Sequence, residues 1–336
     1  MAGRTLCAAA VALALQAAVA TVARGDGLPV LGFVGASHGV RAADGSRRYV
    51  ARPRRRATIV KVLSRSGRTL ERTVIPGRFD VPVVAYDGST SGLSANDRTL
   101  VLIRPRVAFP QRATELVIVA ARTLRPLRFE RLRGDFSFDA ISPSGTWVYL
   151  IQYTSRIDPT RYRVRALSTR TGQLLARDIV DPNDRGEAMR GNPMSRLTSP
   201  DGRWAYTLYD GDGHPFVHAL DTVRLRARCI DIAAFPAGGN LLATRLRLTG
   251  RTLTVVQGGQ MLTEIDTSSL SVIAPPRPTR AVGAKRATRP RRGDARPRSG
   301  APAAVLPIAA AVALLAGAAL ALRRRFARLR RRVHVQ

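Results

Sequence analysis

In "YDGDGHP", Tyr209 to Pro215, two carboxylates and an imidazole, Asp210, Asp212 and His214, sit at alternate positions. Such a set could hold a hard cation through its oxygens or exchange protons with a bound molecule. The stretch lacks the distal bidentate Glu of an EF-hand loop, and Asp-Gly pairs are ordinary turn formers. It therefore reads as a polar turn that offers hydrogen bonds to a ligand, and no metal is expected there. His214 and His218 lie four apart, a spacing that unites two imidazoles on a helix but not on "PFVHALD", which alternates like a strand.

A second polar cluster lies in "DPNDRGEAMRGNPM", Asp181 to Met194, where Asp184, Arg185, Glu187 and Arg190 are candidate ligand contacts. The chain carries no G-x-S-x-G, H-E-x-x-H, Walker or G-x-G-x-x-G pattern. Those hydrolase, zinc-protease and nucleotide chemistries lose their support, and neither a catalytic residue nor a cofactor is assigned.

The formal charge of the chain is +32, carried almost wholly by arginine. Residues 25 to 275 hold 37 basic and 22 acidic side chains, a balance of +15. Such arginine bias is what a G+C-rich genome encodes, and it also makes a surface that attracts anionic partners. Nucleic acid is the weakest partner class, because aromatic residues are only 5% of the chain and no recognised binding motif is present. Cys229 is the one cysteine outside the N-terminal segment, so the body has no intramolecular disulfide and must be stable through its core. In "RARCIDI" it reads as a small buried hydrophobe.

The elements that position these clusters follow from a repeat. The turns in "RAADGSRRYVAR", "LSANDRTLVLIRP", "ISPSGTWVYLIQY", "LTSPDGRWAYTLYD" and "LRLTGRTLTVVQG" align on Gly45, Asp97, Gly145, Gly202 and Gly250, at intervals of 52, 48, 57 and 48 residues. In "SPDG", Pro200 presets φ, Asp201 suits the next turn position and Gly202 supplies a positive φ. Trp147 and Trp204 fall at the same offset from their glycines. Each turn leads into a strand that is apolar on both faces, as expected of a sheet covered by layers on either side. A strand, polar turn and strand follow, so a full unit predicts four strands, seen best in "FSFDAIS", "TWVYLIQY", "YRVRALS" and "LLARDIV". Four antiparallel strands per fifty residues is the pattern of a propeller blade.

The S-P-D-G turn followed by a D-x-x-T-G-like turn, as in "SPSG" with "STRTGQLL" and "SPDG" with "LDTVRLRA", resembles the repeats of bacterial YVTN, TolB-like and WD40-like β-propeller proteins. The resemblance spans about residues 28 to 275 and implies an all-β propeller of about five four-stranded blades, without implying a specific activity. It leads to a binding or scaffolding module for an envelope protein or anionic polymer. The alternative is an exported hydrolase or lyase with acidic residues at the channel mouth. A β-sandwich with chance turn similarity is the competing architecture.

The ends of the chain predict its address. Residues 1 to 23 read as a signal peptide, with an uncleaved anchor as the alternative. Residues 276 to 302 form a basic, Pro-rich linker without strand periodicity. Ala303 to Leu322 is an uncharged apolar stretch of spanning length, predicting a transmembrane helix. The tail, residues 323 to 336, is predicted to stay in the cytoplasm and touch anionic lipid through Arg323, Arg324, Arg325 and Arg328.

Overall fold

The computed structural model describes residues 38–183, 189–232 and 240–273, all within a compact unit that ends at Pro278. The predicted signal peptide, linker, transmembrane helix and tail lie outside the described residues. Among the described residues no helix is long and apolar enough to cross a membrane. Apart from two short 3-10 turns, the regular structure described is strand, in five antiparallel sheets of sequence-consecutive strands hydrogen-bonded in chain order.

The first sheet comprises β1 (Val40–Arg41), β2 (Arg47–Pro53), β3 (Ala57–Ser64) and β4 (Thr69–Pro76). The second holds β5 (Thr99–Ile103), β6 (Ala113–Ala120) and β7 (Arg125–Arg133), and the third β8 (Phe136–Ile141), β9 (Trp147–Tyr153) and β10 (Tyr162–Ser168). The fourth holds β11 (Pro193–Thr198), β12 (Trp204–Tyr209), β13 (Phe216–Asp221) and β14 (Arg226–Asp231). The fifth holds β15 (Thr244–Thr249), β16 (Thr252–Gln257), β17 (Gln260–Asp266) and β18 (Ser271–Ile273).

Two blades differ from the four-strand expectation. In the third, "LLARDIV" pairs with β10 only through the bridges Leu167–Leu174 and Val164–Ile179. The Arg165 guanidinium there donates to the Leu175 carbonyl, so a side chain serves one of the acceptors of the outer segment. In the second, the inner strand is reduced to bridges at Leu93–Leu100 and Asp80–Ile103.

Successive sheets bury their faces against one another. Tyr49, Val60 and Val62 meet Leu100, Leu102, Val117 and Val119; Val101, Leu116 and Ile118 meet Phe136, Val148 and Leu150. Tyr149, Ile151 and Val164 meet Ala205, Tyr209 and Leu220; Tyr206, Leu208 and Val217 meet Leu246, Leu253 and Val255. On β6, Leu116 and Ile118 face one core while Val117 and Val119 face the next, which is why the central strands lack polar alternation. Each fully buried aliphatic side chain contributes about 1.5–3 kcal/mol. Among the described residues no core joins the fifth sheet to the first.

The repeat residues do what their types require. Gly45, Asp97, Gly145, Gly202 and Gly250 adopt φ of 67°, 53°, 76°, 73° and 56°. In three of these turns the leading serine, Ser94, Ser142 or Ser199, accepts from the backbone N–H five residues on, at 2.9–3.0 Å. A Cβ on Gly202 would come within 2.7 Å of Ala95 Cβ, so turns of different sheets touch as well.

Candidate functional site

Because each sheet is an up-and-down meander, its first and third turns share one end and its second turn and outgoing connection share the other. The repeat turns mark the first, or turn end. Both clusters singled out in the sequence fall at the second, the loop end: Tyr209 to Pro215 connects β12 to β13, and Asp181 to Met194 connects the third sheet to the fourth.

These two connections are locked together. Asp210 Oδ1 accepts from the Asn192 N–H at 2.7 Å and its Oδ2 from the Asn192 side-chain amide at 2.7 Å, while the Asp210 N–H returns a bond to the Asn192 carbonyl at 3.2 Å. Gly191, at φ 102°, passes so close that a Cβ there would lie 2.6 Å from both Asp210 Oδ1 and the Gly211 nitrogen. Asp210 is thus a half-buried clamp between the two connections. At the start of the connection, Asp181 is buried and accepts from the N–H groups of Asn183 and Cys229 at 2.9 Å each. The segment expected to be a loop through Met194 enters β11 at Pro193, and Met189 bridges to Tyr162.

Of the remaining predicted contacts, His214 and Arg190 are exposed. Arg190 acts electrostatically on Asp158, whose carboxyl is held low chiefly by the Thr160 hydroxyl and further by Arg161 and Arg190. Asp184, Arg185 and Glu187 lie outside the described residues, as does the Asp212 side chain. His218 lies on β13, buried, while His214 precedes the strand, so the two imidazoles do not share a site. No grouping of three metal-ligating side chains occurs among the described residues. Cys229 is half-buried on β14 opposite His218, less enclosed than its apolar sequence context implied, because β14 is an outer strand.

The axis where first strands converge is a polar lock that spacing alone did not reveal. The turn between Val83 and Thr90 crosses it: the N–H groups of Tyr86 and Asp87 donate to the carbonyls of Pro193 and Met194 at 2.9 and 3.1 Å. Asp87 Oδ2 accepts from the Ser195 hydroxyl at 2.8 Å and the Arg196 N–H at 3.2 Å, and Ser195 Oγ accepts from Leu246 N–H at 3.3 Å. The buried Arg196 guanidinium pairs with the Asp139 carboxylate and donates to the Asp139 carbonyl at 3.0 Å. The third, fourth and fifth sheets and this turn meet through these bonds. Beside them the adjoining cavity, lined by Asp139, Tyr153, Tyr162 and Tyr209, has about 20 Å³ of space, enough for a water-sized group only. Burial raises the phenols of all three tyrosines above their ordinary range.

Beside this axis, at the seam of the second and third sheets, the loop end opens into a cleft of about 490 Å³ lined by Gln111, Arg112, Arg133, Asp135, Tyr153 and Arg156. Asp135 is 6% exposed, ion-paired with the equally buried Arg106, and accepts from the Gln111 N–H at 2.9 Å. The Arg106 guanidinium also lies 4.8 Å above the Tyr153 ring. Arg112, Arg133 and Arg156 are exposed and have no carboxylate partner among the described residues. Sequence reasoning passed over them because arginine is everywhere in this chain; only "RGD" at Arg133 to Asp135, a tight connection between strands, marked the spot.

Antiparallel sheets stacked face to face in chain order around converging first strands define the β-propeller class. No family model and no curated protein matches the sequence. Among solved structures the chain is similar to Kuenenia stuttgartiensis hydrazine synthase, at 14% identity and TM-score 0.40, over 68% of this chain and 62% of that one. It is similar to the Myceliophteria thermophila Cps50 (Swd1) β-propeller domain at 9% identity and TM-score 0.41, over 68% and 65% of the chains. TolB from Acinetobacter baumannii matches at 14% identity and TM-score 0.37, over 67% and 51%. The chain therefore spans about half to two thirds of the length of these structures.

Proposed function

We propose that the protein is a membrane-tethered, extracytoplasmic β-propeller of about five blades that binds an envelope protein or anionic polymer at its loop end. The observation that carries the reading is the clamp between Asp210 and Asn192, which joins two polar connections of the loop end into one surface on a stack of sheets. Binding is favoured over acid–base chemistry because Asp135, Asp181 and Asp210 are all committed to protein partners. The signal segment, the apolar stretch at 303–322 and the arginine tail support the address: body outside, tail against anionic lipid inside.

A photo-crosslinking amino acid at Arg190, at the loop end, should capture a discrete cell-envelope partner in intact cells, whereas the same group at Arg170, at the turn end, should not. Equal yields at both ends would refute a loop-end binding surface. Protease added to intact cells should digest the body and spare the tail epitope; a protected body would refute the address.

A further inference from the structure

We infer that the cleft between the second and third sheets is a subsite for phosphate groups of an anionic polymer, gripped by Arg112, Arg133 and Arg156. This rests on the binding-module reading and names the chemistry it would recognise. The argument begins with the floor. Asp135 is the only carboxylate among the described residues that line the cleft, and the buried Arg106 pairs with it, while the Gln111 N–H takes its second oxygen. Neutralised in this way, the acid leaves three exposed guanidinium groups lining one concavity with no carboxylate partner among the described residues.

On the same sheets Arg104 and Arg131 pair with Glu115, Arg128 with Glu130 and Arg163 with Asp178, whereas other exposed arginines, such as Arg98, Arg122 and Arg125, have no ion pair among the described residues. What sets Arg112, Arg133 and Arg156 apart is that all three line one cleft. Three like charges held around a hollow repel one another until an anion enters between them. Guanidinium forks suit oxyanions because each can offer two parallel N–H donors.

The walls also limit the ligand. Arg112 stands on the connection between β5 and β6, Arg133 at the end of β7 and Arg156 on the connection between β9 and β10, so the ligand must enter a seam between sheets. A flexible chain of phosphodiesters fits such a seam, while a flat bilayer surface does not. Immobilising the floor matters too: the Arg106 guanidinium over Tyr153, and Tyr153 edge-on to Phe109 at 5.6 Å, hold the base of the cleft rigid.

The test uses full-length protein in detergent micelles, titrated calorimetrically with sodium tripolyphosphate at low salt. Saturable binding is expected, weakened about tenfold or more in R112Q/R133Q/R156Q and less in the triple lysine variant, which keeps charge but loses the fork. A control that neutralises Arg72, Arg125 and Arg226 on outer strands should bind like the parent; equal loss in both triples would reduce the effect to net charge and overturn the site. Absence of saturable binding would also overturn it. Flotation with phosphatidylglycerol vesicles should be indifferent to the cleft triple, and dependence on it would overturn the polymer assignment. Crosslinking from Arg190 needs no tripolyphosphate, so its persistence alongside failed titration would sink the cleft alone and leave the binding module standing.

Discussion

Arg196 on β11 and Asp139 on β8 form an ion pair across the first strands of adjacent sheets, with the two residues only 8% and 2% exposed. The arginine also takes the Asp139 backbone carbonyl at 3.0 Å. Removing one partner of a buried pair strands the other's charge, so Arg196→Met should cost about 3–5 kcal/mol in chemical denaturation. The double variant R196M/D139L removes both charges and should recover most of that loss. A single variant as stable as the parent would show that the pair does not hold the axis.

The loop end depends on a close backbone approach. Gly191→Ala would place a Cβ 2.6 Å from Asp210 Oδ1 and from the Gly211 nitrogen, at a backbone φ of 102° that alanine resists. It should destabilise the protein by about 2 kcal/mol or more and lower capture from the Arg190 crosslinker. Asp210→Ala, which frees Asn192 without a clash, should lower capture with a smaller change in thermal midpoint. Retained capture in both variants would separate the clamp from binding.

Two buried groups give opposite pH dependences. His218 is 1% exposed, neither ring nitrogen has a hydrogen-bond partner among the described residues, and burial lowers its pKa to about 4 from 6.5 despite the pull of Asp139. The folded state binds its proton less readily than the unfolded chain, so this contribution is full above pH 6.5 and declines as pH falls toward 4. Burial raises Asp80 to about 6 from 3.8, opposed by the Val81 N–H at 2.7 Å, so its stability contribution is greatest below pH 3.8 and is lost as pH rises through 6. His218→Leu should gain most over the parent near pH 4–5, and Asp80→Asn most at pH 8, by thermal midpoint. Parallel profiles for either variant and the parent would contradict the assignment.

The repeat turns offer an internal control. Gly202 and Gly250 both have positive φ, but a Cβ on Gly202 meets Ala95 at 2.7 Å while one on Gly250 meets nothing within 4 Å. Gly250→Ala should cost about 1 kcal/mol from backbone strain alone, and Gly202→Ala measurably more in urea unfolding. Equal costs would mean that the contact between the turns contributes no stability.

Turn chemistry, strand periodicity and the fifty-residue interval are local properties, and the sequence determined them by itself: positive φ at Gly45, Asp97, Gly145, Gly202 and Gly250 follows from turns that need it. So does burial on both faces of the central strands. Tertiary structure decided what those local rules leave open. Asp210 suits a ligand contact by type and neighbours, and which donors reach a carboxylate depends on the fold: here Asn192, eighteen residues away, takes it. The axial pair of Arg196 and Asp139 joins residues 57 positions apart, and the cleft gathers Arg112, Arg133 and Arg156 from three separate connections. In a chain with 55 basic residues, identity marks none of them out; only the sheet-to-sheet contacts determine which charges are neutralised and which remain facing a hollow.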